Sequence, residues 1–332
     1  MRNRTRSRSR SRKNCITRSQ LSLKTEQKKV VKYLLTHDHL LVVHGTGCGK
    51  TLSAVTASQC YLDMYPKNKV VFVGPASLLS NFKKELNAYG NVYHKKRYEL
   101  YSFHAFMNAL KKGKPVACKN TFLIIDEVHN LRNLKTKMYQ SVIKCSMKAN
   151  KRMLLTATPY VNNVYDFAGL INLLHGENLL GFRFRQNIVD YDYYLSSKNF
   201  TTKNIQLIIK FLKGHVDYIK SCNSGKFYPK VQERFFEIPM SKEYFLEYEK
   251  AEKFYPKAHR FYHGYRKAVN EAGKGYYSQK LEHIIPLLNK QKSVIYTNWL
   301  VHGVKIIKKL LVEKGITFSV FQGSLTKKKN DS

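Results

Sequence analysis

Short apolar runs recur along the first half of the chain, and helical patterns lie between them. The runs are Leu40 to Val43, Thr121 to Ile125 and Arg152 to Leu155. Each is typical of a buried strand. After Gly49, the apolar positions Leu52, Val55 and Leu62 follow near-helical spacing. This alternation predicts an α/β fold with a doubly wound parallel sheet.

The pattern changes between about residues 177 and 285, a region rich in Tyr, Phe and Lys. Val231 to Ile238 is its clearest strand pattern, and the rest predicts a mostly helical insertion and linker. Aromatic side chains interleaved with cations can stack on bases while they neutralise phosphates. The same residues at helical spacing are also typical of a core, so both interpretations stay open.

The α/β pattern resumes near residue 286. Ser293 to Thr297 and Ile316 to Phe321 predict two strands. Between them, an apolar stripe predicts a helix that ends at Gly315; its members are Val304, Ile307, Leu310 and Leu311.

Glycines follow the first predicted strand at a strand-to-helix turn. Such a turn lets backbone N–H groups converge on phosphate oxygens, and the helix N-terminus adds partial positive charge. Lys50 would reach the β- and γ-phosphates, and Thr51 would bind Mg²⁺. The full phosphate-loop consensus has glycine where His44 stands, so the match is to its shorter core. The candidate nucleotide-binding residues are Gly45, Thr46, Gly47, Cys48, Gly49, Lys50 and Thr51.

Two carboxylates follow the strand Thr121 to Ile125, in the sequence Asp126-Glu127-Val128-His129. Ligands of open α/β sheets bind at the carboxyl ends of strands. Asp126 would hold Mg²⁺ and Glu127 would position the attacking water for phosphoryl transfer. Alone, the pair could equally be a solvated acidic turn; together with the phosphate loop it predicts ATP hydrolysis.

Three motifs in order carry a family resemblance: GTGCGKT, DEVH and, after the strand Arg152 to Leu155, TATP. They resemble motifs I, II and III of superfamily 2 helicases and translocases, with DEVH as a DEAH-like box. Val70 to Leu86 resembles motif Ia of the Swi/Snf-type branch. Leu154 to Leu174, together with DEVHNLRN, resembles the Swi/Snf-like ATPases of large eukaryotic DNA viruses, such as the poxvirus early transcription factor and nucleoside triphosphatase families.

The resemblance implies roles for residues that spacing alone does not explain. Leu23 to Leu34 resembles the leading segment of the branch, in which Gln27 is the candidate adenine reader. Thr156 and Thr158 would couple the nucleotide state to domain closure, and His129 would help to relay it. The implied fold is a RecA-like P-loop domain, followed by the helical insertion and an incomplete second RecA-like domain.

These observations divide the chain into four parts. We expect a disordered basic Arg/Ser arm over 1–18, a RecA-like ATP-binding domain over 19–176, the insertion or linker over 177–285, and a partial second RecA-like domain over 286–332. The arginine-bearing motif that the family places late in its second domain has no counterpart here. Should a catalytic arginine come from within this chain, Arg183 and Arg185 are the first candidates.

Charge and cysteine content narrow the class of partner. The chain has 59 Lys plus Arg against 22 Asp plus Glu, a formal net charge of +37, which favours polyanions. We therefore expect a nucleic-acid partner. Charge does not choose between DNA and RNA, and the expectation is DNA. Residues 1–13 are either a nucleic-acid or nuclear-targeting tail or a solvated tail without a partner.

The six cysteines form no CxxC pair or His/Cys cluster, so we expect neither a zinc site nor a disulfide framework. The absence of a long apolar run predicts a soluble, intracellular protein without a membrane partner. The resemblance to viral ATPases implies that the protein is virus-encoded.

Two functions remain open. The first is a helicase-like or translocase-like ATPase that uses ATP and Mg²⁺, is stimulated by nucleic acid, and serves viral transcription or genome handling. The second is a truncated or split motor that binds ATP and nucleic acid but hydrolyses little alone, with a second chain supplying the missing lobe.

Overall fold

A parallel sheet of six strands forms the centre of the first part of the computed structural model. The structure describes residues 15–89, 95–160, 166–180, 202–222, 232–254, 263–273, 276–288 and 292–321. The chain divides into two compact units, 1–228 and 229–332. The four-part domain division expected from the sequence stays a prediction.

The first unit alternates strands and helices. Its strands are β1 His39–His44, β2 Lys69–Gly74, β3 Tyr98–Ser102, β4 Thr121–Ile125, β5 Lys151–Thr156 and β6 Val216–Ile219. Its helices are α1 Thr25–Thr36, α2 Lys50–Met64, α3 Ala76–Ala88, α4 Phe103–Lys111, α5 Lys137–Ser146, α6 Asp166–His175 and α7 Thr202–Leu212. The strand order is β3-β2-β4-β5-β1-β6, all parallel.

Helices cover both faces of this sheet, which explains why its strands are continuous apolar runs. One buried cluster joins Val42 and Phe122 to residues of α1, α2 and α3, including Val31 and Val55. The other cluster lies on the opposite face and includes residues of α4, α5 and α6. The predicted RecA-like α/β fold is therefore correct for the first unit.

The strand β6 comes from the region that the sequence analysis interprets as a mostly helical insertion. It pairs in parallel with β1, and Val43 lies opposite Tyr218. Its four residues include Asp217 and give no clear apolar pattern, so only its pairing with β1 identifies it. Residues 232–238, which resemble a strand in sequence, have no strand partner among the described residues.

The second unit contains helices and one small hairpin. The helices are α8 Lys242–Phe254, α9 His263–Ala268, α10 Gln279–Leu287 and α11 Ile306–Glu313, and the hairpin joins β7 Glu271–Gly273 to β8 Tyr276–Tyr277. The helix predicted before Gly315 is present as α11, preceded by a π-helical turn at Leu300–Lys305.

The two strands predicted for this unit are wrong in the described part of the chain. Ser293 to Thr297 and Ile316 to Phe321 carry no ladder hydrogen bonds there. Val294 is 95% exposed and Phe321 is 98% exposed. An apolar run becomes a strand only when a neighbouring strand pairs with it, and neither segment has such a neighbour in the described part of the chain.

Three disulfide bonds join Cys15 to Cys60, Cys48 to Cys222 and Cys118 to Cys145. The expectation of no disulfide framework is therefore wrong. The partners are 45, 174 and 27 positions apart in the sequence and meet only through the fold. Among the described residues, no helix is both long and apolar enough to cross a membrane.

Candidate functional site

The phosphate-loop residues connect the end of β1 to the first residue of α2. Gly47 and Gly49 have φ angles of 80° and 72°, a region that glycine enters without a Cβ clash. Thr46 and Cys48 alternate with these glycines, and Thr51 is the second residue of α2. The loop thus leads directly into a helix N-terminus, the arrangement that suits an anion.

The ammonium group of Lys50 lies over the loop's own carbonyl groups. Its Nζ atom donates hydrogen bonds to the carbonyl oxygens of His44, at 2.8 Å, and Gly45, at 3.3 Å. These acceptors keep the cation at the loop. A triphosphate would offer it charged oxygens in their place, which form stronger hydrogen bonds than neutral carbonyls do.

Gln27 supports the other end of the loop from α1. Its side chain is only 4% exposed. The amide Nε2 donates to the carbonyl oxygen of Gly49 at 3.1 Å, and Oε1 accepts from the backbone N–H of Lys24 at 2.7 Å. A Cβ at Gly49 would collide with Gln27. The candidate adenine reader therefore touches the loop, with both amide atoms already engaged by backbone.

Asp126 and Glu127 follow β4 at the carboxyl edge of the sheet. The backbone N–H of Asp126 donates to Val73, and its Oδ1 accepts from the N–H of Glu127, both at 2.9 Å. Burial, and then the charge of Glu127, raise the pKa of Asp126 to about 6, while Lys50 acts in the opposite direction. A bound cation would stabilise the ionised form of this carboxylate.

His129 connects the acidic pair to the end of β5. Its Nδ1 atom lies 3.3 Å from Oε2 of Glu127, 3.1 Å from Oγ1 of Thr156 and 3.5 Å from Oγ1 of Thr158. The hydrogen bond from His129 lowers the pKa of Glu127. One imidazole nitrogen thus sits between the candidate water-positioning carboxylate and both candidate coupling hydroxyls.

The structure adds to the site the segment around β6, for which the sequence pattern predicts no role. Nε2 of His44 lies 2.7 Å from Oδ1 of Asp217 on β6. The N–H of Gly45 donates to the carbonyl oxygen of Ile219 at 2.9 Å. Cys48 is bonded to Cys222 just beyond that strand. No local motif marks this segment, because its role depends on pairing with β1. Arg183 and Arg185 lie outside the described residues.

The residues at this edge fit ATP and Mg²⁺ chemically. The loop offers a left-handed glycine backbone, a helix N-terminus and the cation of Lys50. Mg²⁺ prefers hard oxygen ligands, and the hydroxyl of Thr51 and the buried carboxylate of Asp126 are of that kind.

The chain is similar to known proteins along most of its length. The SNF2-related domain matches residues 107–298, and the res subunit of type III restriction enzymes matches residues 20–161. A putative ATP-dependent RNA helicase of Acanthamoeba polyphaga mimivirus is 26% identical over 92% of this chain and 72% of its own length. Nucleoside triphosphatase I of Choristoneura fumiferana entomopoxvirus is 28% identical over 48% of this chain and 28% of its own length.

A solved structure agrees on the fold. The SWI2/SNF2 ATPase core of Sulfolobus solfataricus, in complex with dsDNA, matches with a TM-score of 0.52 and 17% identity. The match covers 89% of this chain and 66% of that one. Since the SNF2-related model covers more than half of the sequence, the chain belongs to the SNF2-related domain family, the helicase-like ATP hydrolases of superfamily 2.

Proposed function

We propose that this protein is a nucleic-acid-stimulated, Mg²⁺-dependent ATPase of translocase type, with DNA as its track. One observation carries the proposal. The phosphate loop, the acidic pair and the hydroxyls of Thr156 and Thr158 lie at the carboxyl ends of neighbouring strands, and His129 joins the last two groups.

The chain's own residues divide the chemical work. The loop N–H groups and Lys50 bind the phosphates and stabilise the charge that develops on them. Asp126 and Thr51 would hold Mg²⁺, which neutralises phosphate charge when bound. Glu127, kept ionised by His129, orients the attacking water. Gln27 reads the adenine with the second hydrogen of Nε2 and the second lone pair of Oε1, and it keeps its contact with Gly49.

His129 couples ATP hydrolysis to movement along the nucleic acid. A change at the γ-phosphate alters the charge that Glu127 faces, and Glu127 shares Nδ1 of His129 with Thr156. Thr156 in turn accepts from the N–H of Thr158 at 3.0 Å and donates to its carbonyl oxygen. A change in the orientation of this imidazole therefore reaches the turn that follows β5.

Charge supports a nucleic-acid partner, and the similar proteins support the choice of DNA. A net charge of +37 attracts any polyanion, so it does not choose between DNA and RNA. The structural neighbour bound to dsDNA and the chromatin-regulator relatives favour DNA, whereas two mimivirus relatives are named RNA helicases. The relatives encoded by viruses support a viral origin. A role in transcription or genome handling is part of the proposal and rests on the resemblance to viral ATPases.

An ATPase assay with no nucleic acid and with single-stranded or duplex DNA or RNA tests the proposal. We expect the steady-state rate to rise most with duplex DNA. An ATPase rate that rises with RNA alone would identify RNA, and not DNA, as the nucleic acid on which the protein acts. ATP binding without turnover under every condition would instead favour a module that binds ATP and nucleic acid.

A further inference from the structure

The residue that precedes the phosphate loop is a buried histidine with a buried acidic partner. His44 is the last residue of β1 and is 1% exposed, and Asp217 on β6 is 8% exposed. Nε2 of the imidazole lies 2.7 Å from Oδ1 of the carboxylate. Phosphate loops of the full consensus have glycine at this position, so neither partner follows from the motif.

Stability alone gives little reason for such a pair. Removing an imidazole and a carboxylate from water costs free energy, and apolar residues of similar size hold two strands together at least as well. A directional bond does what apolar contact does not, since it fixes the orientation of both groups. In the neutral ring, the donor to Asp217 is Nε2, which leaves Nδ1 as an acceptor. That Nδ1 is buried and has no hydrogen-bond partner in the described part of the chain.

The second oxygen of Asp217 reaches the helix that holds the far end of the loop. Its Oδ2 lies 3.1 Å from Nζ of Lys29 on α1. Two residues earlier on the same helix, Gln27 donates to the carbonyl oxygen of Gly49. The loop is therefore held at His44 by β6 and at Gly49 by α1, and the Lys29–Asp217 pair connects these two supports.

Backbone contacts also hold the start of the phosphate loop against β6. The N–H of Gly45 donates to the carbonyl oxygen of Ile219. A Cβ at Gly45 would lie 2.5 Å from the carbonyl oxygen of Lys220, so the chain after β6 presses directly on the loop. The carbonyl of His44, in turn, accepts from Nζ of Lys50. A rotation of the His44 peptide would therefore displace the phosphate-binding cation.

We propose that His44 and Asp217 are positioning residues for the phosphate loop: Asp217 orients the ring of His44, and this fixes the peptide from which the loop and Lys50 are aimed at the triphosphate. The inference rests on the proposed ATP site. It predicts that the pair acts on phosphate binding, which appears in the Kd and KM for ATP, and leaves the hydrolytic step to Glu127.

Substitutions at both partners test this inference, with Mg-ATP as the ligand in titration calorimetry and in steady-state assays. We expect Asp217→Ala to raise the Kd and KM for ATP about tenfold or more, the scale of a lost hydrogen bond to a charged group, with kcat nearly unchanged. Asp217→Asn keeps an acceptor for Nε2 and should recover most of the affinity. In a His44→Phe background, Asp217→Ala should cost almost nothing further, because the two residues act as one unit.

Asp63→Ala is the matched control. Asp63 is also a largely buried, ion-paired carboxylate, but it lies at the far end of α2. The inference is overturned if Asp217→Ala weakens ATP binding no more than this control does. It is also overturned if kcat falls at constant KM, or if the losses from His44→Phe and Asp217→Ala simply add. Tight ATP binding by Lys50→Ala would instead reject the ATP site itself, which keeps the two failures distinct.

Discussion

Nδ1 of His129 lies 3.1 Å from Oγ1 of Thr156, although 27 positions separate the two residues in the sequence. This contact joins the turn after β4 to the end of β5. The imidazole of His129 therefore contacts both the carboxylate of Glu127 and the hydroxyl of Thr156.

Breaking that contact should reduce the stimulation of ATP hydrolysis by DNA and leave nucleotide binding intact. For Thr156→Val, which keeps the shape and removes the hydroxyl, we expect the Kd for ATP to stay within about twofold and the stimulation by DNA to fall about fivefold, since a shared hydrogen bond contributes about 1 kcal/mol. His104→Ala, at an exposed histidine on α4, is the control. Full stimulation of the Thr156 variant would contradict a relay through His129.

A histidine cluster at the opposite edge of the sheet predicts a stability that depends on pH. Both ring nitrogens of His39 are buried without a hydrogen-bond partner among the described residues. The ring centroids of His215 and His175 lie 4.2 Å and 4.8 Å from that of His39. Burial, and then the neighbouring His215, His175 and Arg152, lower the pKa of His39 from 6.5 to about 4, against the opposing charge of Asp38.

The sign of the effect follows from proton uptake. Between about pH 6.5 and 4 the unfolded chain binds more protons at this residue, so the free energy of unfolding falls as pH drops through that window. Because His39 is partly exposed, we expect the free energy of unfolding to fall by only about 1–2 kcal/mol across this window, and not to change above pH 6.5 on account of this residue. His39→Phe should flatten the dependence in urea titrations at a series of pH values. Equal pH slopes for both proteins would show that His39 does not titrate as described.

The disulfide between Cys48 and Cys222 should be detectable directly. Peptide mass spectrometry without reductant should find the two cysteines in one cross-linked species. Cys222→Ser should lower the free energy of unfolding by about 2–4 kcal/mol and weaken ATP binding, because Cys48 lies inside the phosphate loop. Cys118→Ser opens a bond that does not involve the loop, and it should leave the Kd for ATP unchanged. Free Cys48 in the native protein would refute the bond.

Residues 1–13 lie outside the described residues, yet their arginines predict a measurable contribution to nucleic-acid binding. If they contact phosphates, deleting them should make the plot of log affinity against log salt less steep, by about one unit or less per lost contact, for every nucleic-acid sequence. ATPase activity without nucleic acid should not change. An unchanged slope would identify the arm as a solvated or targeting tail.

The local pattern of apolar residues was sufficient to predict most of the strands of the first unit. Apolar runs such as Leu40 to Val43 and Thr121 to Ile125 have lengths that only buried strands satisfy, and their polar ends necessarily meet at one edge of a parallel sheet. The strand pattern therefore predicts that Lys50, Asp126 and Glu127 lie at one edge of the sheet.

The features that pattern did not reveal depend on long-range pairing. β6 is four residues long and contains Asp217, whose burial makes sense only beside His44. The disulfide partners carry no spacing signal. Conversely, Ser293 to Thr297 has the composition of a strand but no strand beside it in the described part of the chain, which leaves Tyr296 82% exposed. Composition sets a preference, and a neighbouring element decides whether it is realised.

ATP binding and hydrolysis by two single variants test the central claim most directly. Titration calorimetry with Mg-ATP, paired with phosphate release, should show that Lys50→Ala loses ATP binding by at least about a hundredfold, because a charge-assisted contact to the triphosphate is gone. Glu127→Gln should bind ATP with nearly the Kd of the unchanged protein and release almost no phosphate. Tight ATP binding by Lys50→Ala, or normal turnover by Glu127→Gln, would contradict the assignment of this edge of the sheet as an ATP-hydrolysing site.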